Sequence, residues 1–113
     1  NEYFLLENRQ QDLFDRFLPA GGLLIWHVDD AMPDNTNPRH YKVGLMQADG
    51  KGHLEKNSNE GDPGDPFPGM AGNHDFNRTT IPSSLSYGGI DSLVQVNNIR
   101  QVGYDIICDI SVM

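Results

Sequence analysis

The sequence predicts a mainly β protein: a small antiparallel β-sandwich, jelly-roll-like or Ig-like, with long acidic loops and at most one short helix. Apolar residues fall in short runs, and the last run alternates with a period of two, as in a half-buried strand. Twelve glycines and seven prolines suit a loop-rich β protein better than a helical one. Helix-like spacing is confined to residues 10–17, which allow barely two turns.

The first two predicted strands are apolar on both faces. Residues Glu2 to Glu7 (EYFLLE) form a short run that indicates a buried strand, with a helical turn as the alternative. Residues Gly22 to Val28 (GLLIWHV) form the second run, which the chain enters through a strong turn signal at residues 19–22 (PAGG). We therefore expect both strands to lie inside the protein.

Three further strands complete the prediction. Residues Tyr41 to Ala48 alternate, and a weaker strand covers Leu93 to Val96 with Ile99 beyond it. The clearest strand runs from Tyr104 to Val112. The apolar face of this strand, which we expect to be buried, consists of Tyr104, Ile106, Cys108, Ile110 and Val112.

Size and charge limit the possible functions. A chain of 113 residues is long enough for one domain, residues 1–113, and too short for two. The net charge of −8 argues against nucleic acid or an anionic membrane as a partner. No apolar run approaches the roughly 20 residues of a membrane span, and no signal peptide is expected at Asn1. A lone cysteine, Cys108, excludes an internal disulfide.

The acids are concentrated in two irregular segments, residues 29–38 and 49–75. Carboxylate oxygens and glycine-freed carbonyls are the ligands that calcium prefers. The candidate calcium ligands are Asp49, Asp62 and Asp65 in the longer segment, with Asp29 and Asp30 in the shorter one. Because the spacing of an EF-hand is missing, the prediction rests on composition, and a solvated acidic loop without metal stays open as the alternative.

Three further residues are candidates for binding or packing. His27 ends an apolar strand beside two aspartates, so it is either a hydrogen-bonded core residue or a ligand. Trp26 is expected in the core rather than as a sugar-stacking platform. Phe67, between two prolines in the segment Gly61 to Gly69 (GDPGDPFPG), is expected to close the edge of the core.

Catalytic motifs are missing from the sequence. None of the four histidines has a partner at the His-Glu-x-x-His spacing that holds a catalytic zinc, and the glycine-flanked serine of a nucleophile elbow is missing. We therefore expect that the chain is not itself an enzyme.

Several segments in order resemble the region after the catalytic part of immune-inhibitor-A-type secreted metalloproteases (peptidase family M-six). The resemblance rests on NEYFLLENRQ (residues 1–10), LPAGGLLIWHVDD (18–30), ADG (48–50), GDPGDPFPG (61–69), TTIPSSLSYGG (79–89) and VQVNNI (94–99). It spans most of the chain, and the first two segments are fairly specific in combination.

This resemblance implies a parent protein that is an exported bacterial zinc endopeptidase, often with structural calcium. The family's zinc-binding helix lies upstream of the matching region, so no catalytic residue carries over to this sequence. The expected function is a secreted, non-catalytic accessory module that packs on the parent's catalytic domain or helps to present a protein substrate. The alternative is a calcium-stabilised adhesion or carbohydrate-binding module.

Overall fold

The computed structural model describes residues 1–10, 21–52, 54 and 63–112, which form five strands in two antiparallel sheets. Strands β1 (Glu2–Arg9), β2 (Gly22–Asp29) and β3 (Val43–Leu45) form one sheet in that order, and β4 (Val94–Val102) pairs with β5 (Asp105–Val112). The mainly β, antiparallel prediction is confirmed. None of the described residues belongs to a helix that could cross a membrane, and most of the predicted helix at 10–17 lies outside them.

Strand β2 is the centre of the larger sheet. It pairs with β1 along its whole length, from Glu2 opposite Asp29 to Arg9 opposite Gly22. On its other edge it pairs with β3 and with Phe67, which exchanges two backbone hydrogen bonds of 2.9 and 2.8 Å with Leu23. The continuous apolar run of β2 is explained by this position, since almost all of its residues are buried.

The core joins the two sheets. Leu23 and Ile25 of β2 pack with Val96 and Ile99 of β4, and all four are at most 4% exposed. Three residues from irregular segments complete the cluster: Ala48, Phe67 and Phe76. Phe76 is held by two backbone hydrogen bonds to Val96, of 2.7 and 2.8 Å. Segments without regular structure therefore supply much of the core.

Strand β1 departs from its prediction of complete burial. Tyr3, Leu5 and Leu6 are 42%, 51% and 38% exposed, and Phe4 is half-buried. The physical reason is position, because among the described strands β1 has a neighbour on one side alone. An apolar run of this length occurs in an edge strand as well as in a central one, so the run could not separate the two.

The predicted buried face of β5 is also only partly correct. Ile106 and Cys108 are half-buried and pack against the core. Tyr104, Ile110 and Val112 are 67%, 58% and 67% exposed. Tyr104 lies in the turn that enters β5, and the last two line a cleft rather than a filled core.

Strand β3 is shorter than the predicted 41–48. After Leu45 the chain turns to pair with another segment: the N–H of Ala48 donates to the carbonyl of Asp65 and that of Asp49 to Gly64, both at 2.9 Å. The loop segment 63–67 is thereby tied to the end of β2 where Leu23 lies.

Gly69 gives a test of this segment. Its φ is +53°, and a Cβ there would overlap the carbonyl oxygen of Pro66 and approach that of Pro63 to 2.9 Å. Gly72 has a similar φ of +64°, but a Cβ added to it would meet nothing within 4 Å. We expect Gly69→Ala to lower the free energy of unfolding by about 3 kcal/mol and Gly72→Ala by about 1 kcal/mol, measured by urea denaturation. Equal losses would contradict the packing described for 63–69.

Candidate functional site

Four aromatic side chains form a continuous stack near the end of β2. The rings of Phe4 and His27 have centroids 4.6 Å apart, and His27 lies parallel to Tyr87 at 4.1 Å with an interplanar angle of 7°. Tyr87 stacks on its other side against His40, at 4.0 Å and 23°. We call these four residues the ring stack. It joins β1, β2 and the two loops that carry His40 and Tyr87.

A carboxylate holds each imidazole of the ring stack. His27 Nε2 lies 2.9 Å from Glu2 Oε1, which also accepts the backbone N–H of Tyr87 at 2.9 Å. His40 Nε2 lies 2.6 Å from Asp29 Oδ2, while Asp29 Oδ1 accepts the N–H of Ala31 at 2.9 Å. Since an ionised carboxylate can only accept, the first contact places the proton of neutral His27 on Nε2.

Burial and hydrogen bonding shift two of these groups in the same direction. His27 is 3% exposed, and this desolvation lowers its pKa below the ordinary 6.5 even though Glu2 opposes the shift. The hydrogen bond from His40, with the backbone bond from Ala31, lowers the pKa of Asp29 below 3.8. The site thus favours a neutral His27 beside an ionised Asp29 at neutral pH.

Within the described residues, the Nε2 atom of each imidazole forms a hydrogen bond with a carboxylate. Such pairs orient an imidazole and fix the position of its proton. Cys108 is half-buried, and burial raises the pKa of its thiol, which keeps it protonated and a poor nucleophile. The geometry therefore suits a clamp between β1, β2 and two loops.

A cleft opens beside the ring stack. It has a volume of about 280 Å³, and its walls come from β1 on one side and from β4 and β5 on the other. The apolar lining comprises Tyr3, Phe4, Leu6, Val94, Val96, Ile110 and Val112. Its described polar lining comprises Glu2, His27, Ser86 and Ser92. A largely apolar pocket with a few converging polar groups is the usual form of a binding site.

The candidate calcium ligands fall into two separate groups. Asp29 and Asp30 lie at one end of β2, whereas Asp49 and Asp65 lie by the backbone pairing near Leu23, at the other end. Asp29 is buried and bonded to His40, Asp30 is exposed, and Asp49 Oδ1 accepts the N–H of Lys51.

Asp62 lies outside the described residues. In the part of the chain that the structure describes, no group of three or more His, Cys, Asp or Glu side chains could hold a metal ion. Calcium binding by the acidic segments stays a prediction.

Trp26 and Phe67 have different surroundings. Trp26 is half-buried on the face of β2 that points away from the core, between Leu5 of β1 and Leu45 of β3. Phe67 is fully buried and contacts Phe76 edge to face, with ring centroids 6.0 Å apart.

Glu2, His40 and Tyr87 were not predicted from the sequence. They lie 25, 13 and 60 positions from His27, and no motif spacing connects them. The one signal was a histidine followed by two aspartates at the end of an apolar strand, which pointed to His27 and Asp29. Tertiary contact alone brings the other three residues to this place.

Comparisons with known proteins add no relative. No family model, no curated protein and no solved structure matches the chain.

The ring stack predicts how stability depends on pH. Because the pKa of His27 is lower in the folded chain, the unfolded chain binds more protons as the pH falls below 6.5. Stability is therefore expected to fall from pH 6.5 downward until the folded pKa is reached, by at most about 1.4 kcal/mol per pH unit for one proton. Loss of the Asp29 contribution follows separately, below pH 3.8.

Thermal melts between pH 7.5 and 5 measure the first effect. His27→Phe keeps an aromatic ring in the stack and removes the titrating group, so its melting temperature should vary less over this range. His74→Gln alters an exposed histidine outside the stack, whose Nδ1 lies 2.7 Å from the carbonyl oxygen of Ile99; glutamine keeps a side-chain donor there, so this variant is the matched control. A His27→Phe profile as steep as that of the unaltered chain would contradict the account.

Proposed function

We propose that the chain is a non-catalytic β module of a secreted metallopeptidase, and that it docks on the parent's catalytic domain through the outer face of its three-stranded sheet. The observation that carries the proposal is the apolar character of that face. The outer face carries Tyr3, Leu5, Leu24, Trp26, Val28, Val43 and Leu45, with the charged Glu7 and Arg9 at one end of β1. An antiparallel sheet with one solvated face ordinarily alternates apolar with polar residues.

The apolar residues of the outer face continue across all three strands. Leu5, Trp26 and Leu45 form one cross-strand row, and Tyr3, Val28 and Val43 form another. The core lies on the opposite face, with Leu23 and Ile25. Tyr3, Leu5 and Val43 are 42%, 51% and 38% exposed, whereas Leu24 and Val28 are already buried, at 6% and 3%, so the exposed part of the face lies mainly on β1 and β3. Exposed apolar residues grouped on one face are typical of an interaction surface.

The size of the outer face favours a tethered partner. Strands β1 and β2 have eight residues each and β3 has three. At about 3.3 Å per residue and about 4.8 Å between strands, the face measures roughly 300 Å². A free complex of standard size buries about 800 Å² on each partner. A domain of the same polypeptide needs less contact area because the linkage supplies a high effective concentration.

The resemblance to immune-inhibitor-A-type metalloproteases suggests which domain binds the outer face. In that family the matching region follows the catalytic domain, so the catalytic domain is tethered to it in the same polypeptide. In this proposal the two sheets are the layers of a small sandwich, and the whole chain acts as one accessory domain. The clamp-like use of both imidazoles agrees with a structural role.

Activity measurements test the non-catalytic part of the proposal. The purified chain with added zinc should cleave neither casein nor gelatin. Zinc-dependent, chelator-sensitive cleavage that is lost in His27→Phe would refute it.

Oxidative footprinting with mass spectrometry tests the docking. Labelling of Tyr3 and Leu5 should fall several-fold in the complete parental polypeptide relative to this chain alone, since the catalytic domain would cover them. Ile90 is 72% exposed in a loop and is the internal control, with labelling expected to stay unchanged. Equal labelling of Leu5 in both forms would show that nothing docks on the outer face.

A further inference from the structure

A second surface without a partner among the described strands is the free edge of β1, the edge that is not paired with β2. It lies beside the cleft. We propose that an extended peptide segment binds there, adding a strand to β1 and placing apolar side chains in the cleft, with a basic residue next to Glu2. This inference rests on the proposed accessory function, because it names the kind of substrate that such a module would present.

The hydrogen-bond phase of the sheet identifies which backbone groups are free. The N–H of Asp30 donates to the carbonyl of Asn1 at 3.0 Å, so residues at odd positions of β1 exchange hydrogen bonds with β2. The other edge of β2 agrees, since Asp29 donates to Lys42 and Ile25 accepts from Met46. The backbone groups at even positions of β1 therefore point away from β2.

The free edge is short and closed at one end. The side chain of Asn8 donates to the carbonyl of Tyr104 at 2.9 Å, which brings the turn before β5 to the end of β1. No described strand pairs with β1 at Phe4 and Leu6 on this side. A row of donors and acceptors of this kind is satisfied by an extended backbone and not by a helix or a compact ligand.

The cleft lies against this edge. Phe4 and Leu6 supply its β1 wall, and Ile110 and Val112 stand opposite. Its volume of about 280 Å³ is near the lower end of the range for ligand pockets, so it suits one or two aliphatic side chains rather than a large ligand. In an added strand, alternate residues would point into the cleft.

The charge of the cleft indicates which polar residue the peptide carries. Among the described residues that line the cleft, Glu2 is the one acid, and none is a lysine or arginine. Both of the described hydrogen bonds of Glu2 end on Oε1, and its side chain is 30% exposed. Oε2 can therefore accept from a ligand, and a lysine or arginine at that end of the peptide complements it.

The binding experiment uses the acetylated, amidated heptapeptide Lys-Thr-Val-Thr-Val-Thr-Ser, whose lysine and valines share one face of a strand, and residue-resolved amide hydrogen exchange. In the free chain, Phe4 and Leu6 should exchange fast while Leu5 is protected by its bond to β2. The peptide should slow exchange at Phe4 and Leu6 at least tenfold. A version of the peptide N-methylated at the residues whose N–H groups point toward β1 should not slow this exchange, because it cannot donate hydrogen bonds to the edge.

Two matched pairs test the cleft and the charge. Ile110→Lys should weaken binding at least tenfold, whereas Ile107→Lys, on the opposite face of β5, should leave it unchanged; both positions are already exposed, at 58% and 40%. Replacing the peptide's lysine by norleucine should weaken binding several-fold at low salt and less at high salt.

Three results would overturn the inference. The first is unchanged exchange at Phe4 and Leu6 with millimolar peptide and an intact spectrum. The second is an equal effect of the two lysine variants. The third is protection that rises with protein concentration in the absence of peptide, since the occupant would then be a second copy of the chain. Each result leaves the footprint of Leu5 on the outer face unaffected, so failure here is distinguishable from failure of the proposed function.

Discussion

The burial of β2 between neighbours on both edges is the constraint on which the rest of the structure depends. Every residue of this strand lies opposite a residue of β1, and its other edge is taken by β3 and Phe67. Its two ends then organise different parts of the chain. Leu23 anchors the segment around Phe67 in the core, and His27 with Asp29 anchors the ring stack.

The same arrangement leaves two surfaces of the chain without a partner among the described residues. With β2 fully paired, the open positions of the sheet, as far as the described strands go, include the free edge of β1 and the outer face. Both carry apolar residues that a self-sufficient domain would ordinarily replace with polar ones. The ring stack clamps the start of β1 to β2, and it thereby holds the exposed strand in register beside the cleft.

The positions of β1, β2 and β5 were predicted well because local patterns determine them, whereas β3 is shorter and β4 longer than predicted. The apolar run of β2 and the alternation at Ile106 and Cys108 have a physical cause within a few residues. Exposure of Leu5 and Ile110 could not be predicted in this way, because it depends on which strand lies at the edge and on how the two sheets leave a cleft.

The site was predictable in part for a similar reason. His27 and Asp29 end an apolar strand and could be singled out by position. Glu2, His40 and Tyr87 reach them through long-range contacts that a single sequence does not encode locally. The five aspartates proposed as calcium ligands were chosen because they lie in acid-rich segments. The composition of a segment does not show which aspartates lie together at one end of β2.

Residue-resolved amide exchange of the isolated chain in the absence of any ligand is the most direct test of the central claim that β1 is an unfinished edge held on a complete β2. We expect slow exchange throughout Leu23 to Val28 and alternation along β1, with Tyr3 and Leu5 slow and Phe4 and Leu6 fast. Uniformly slow exchange along β1 at low protein concentration would contradict it, because the edge would then already be paired.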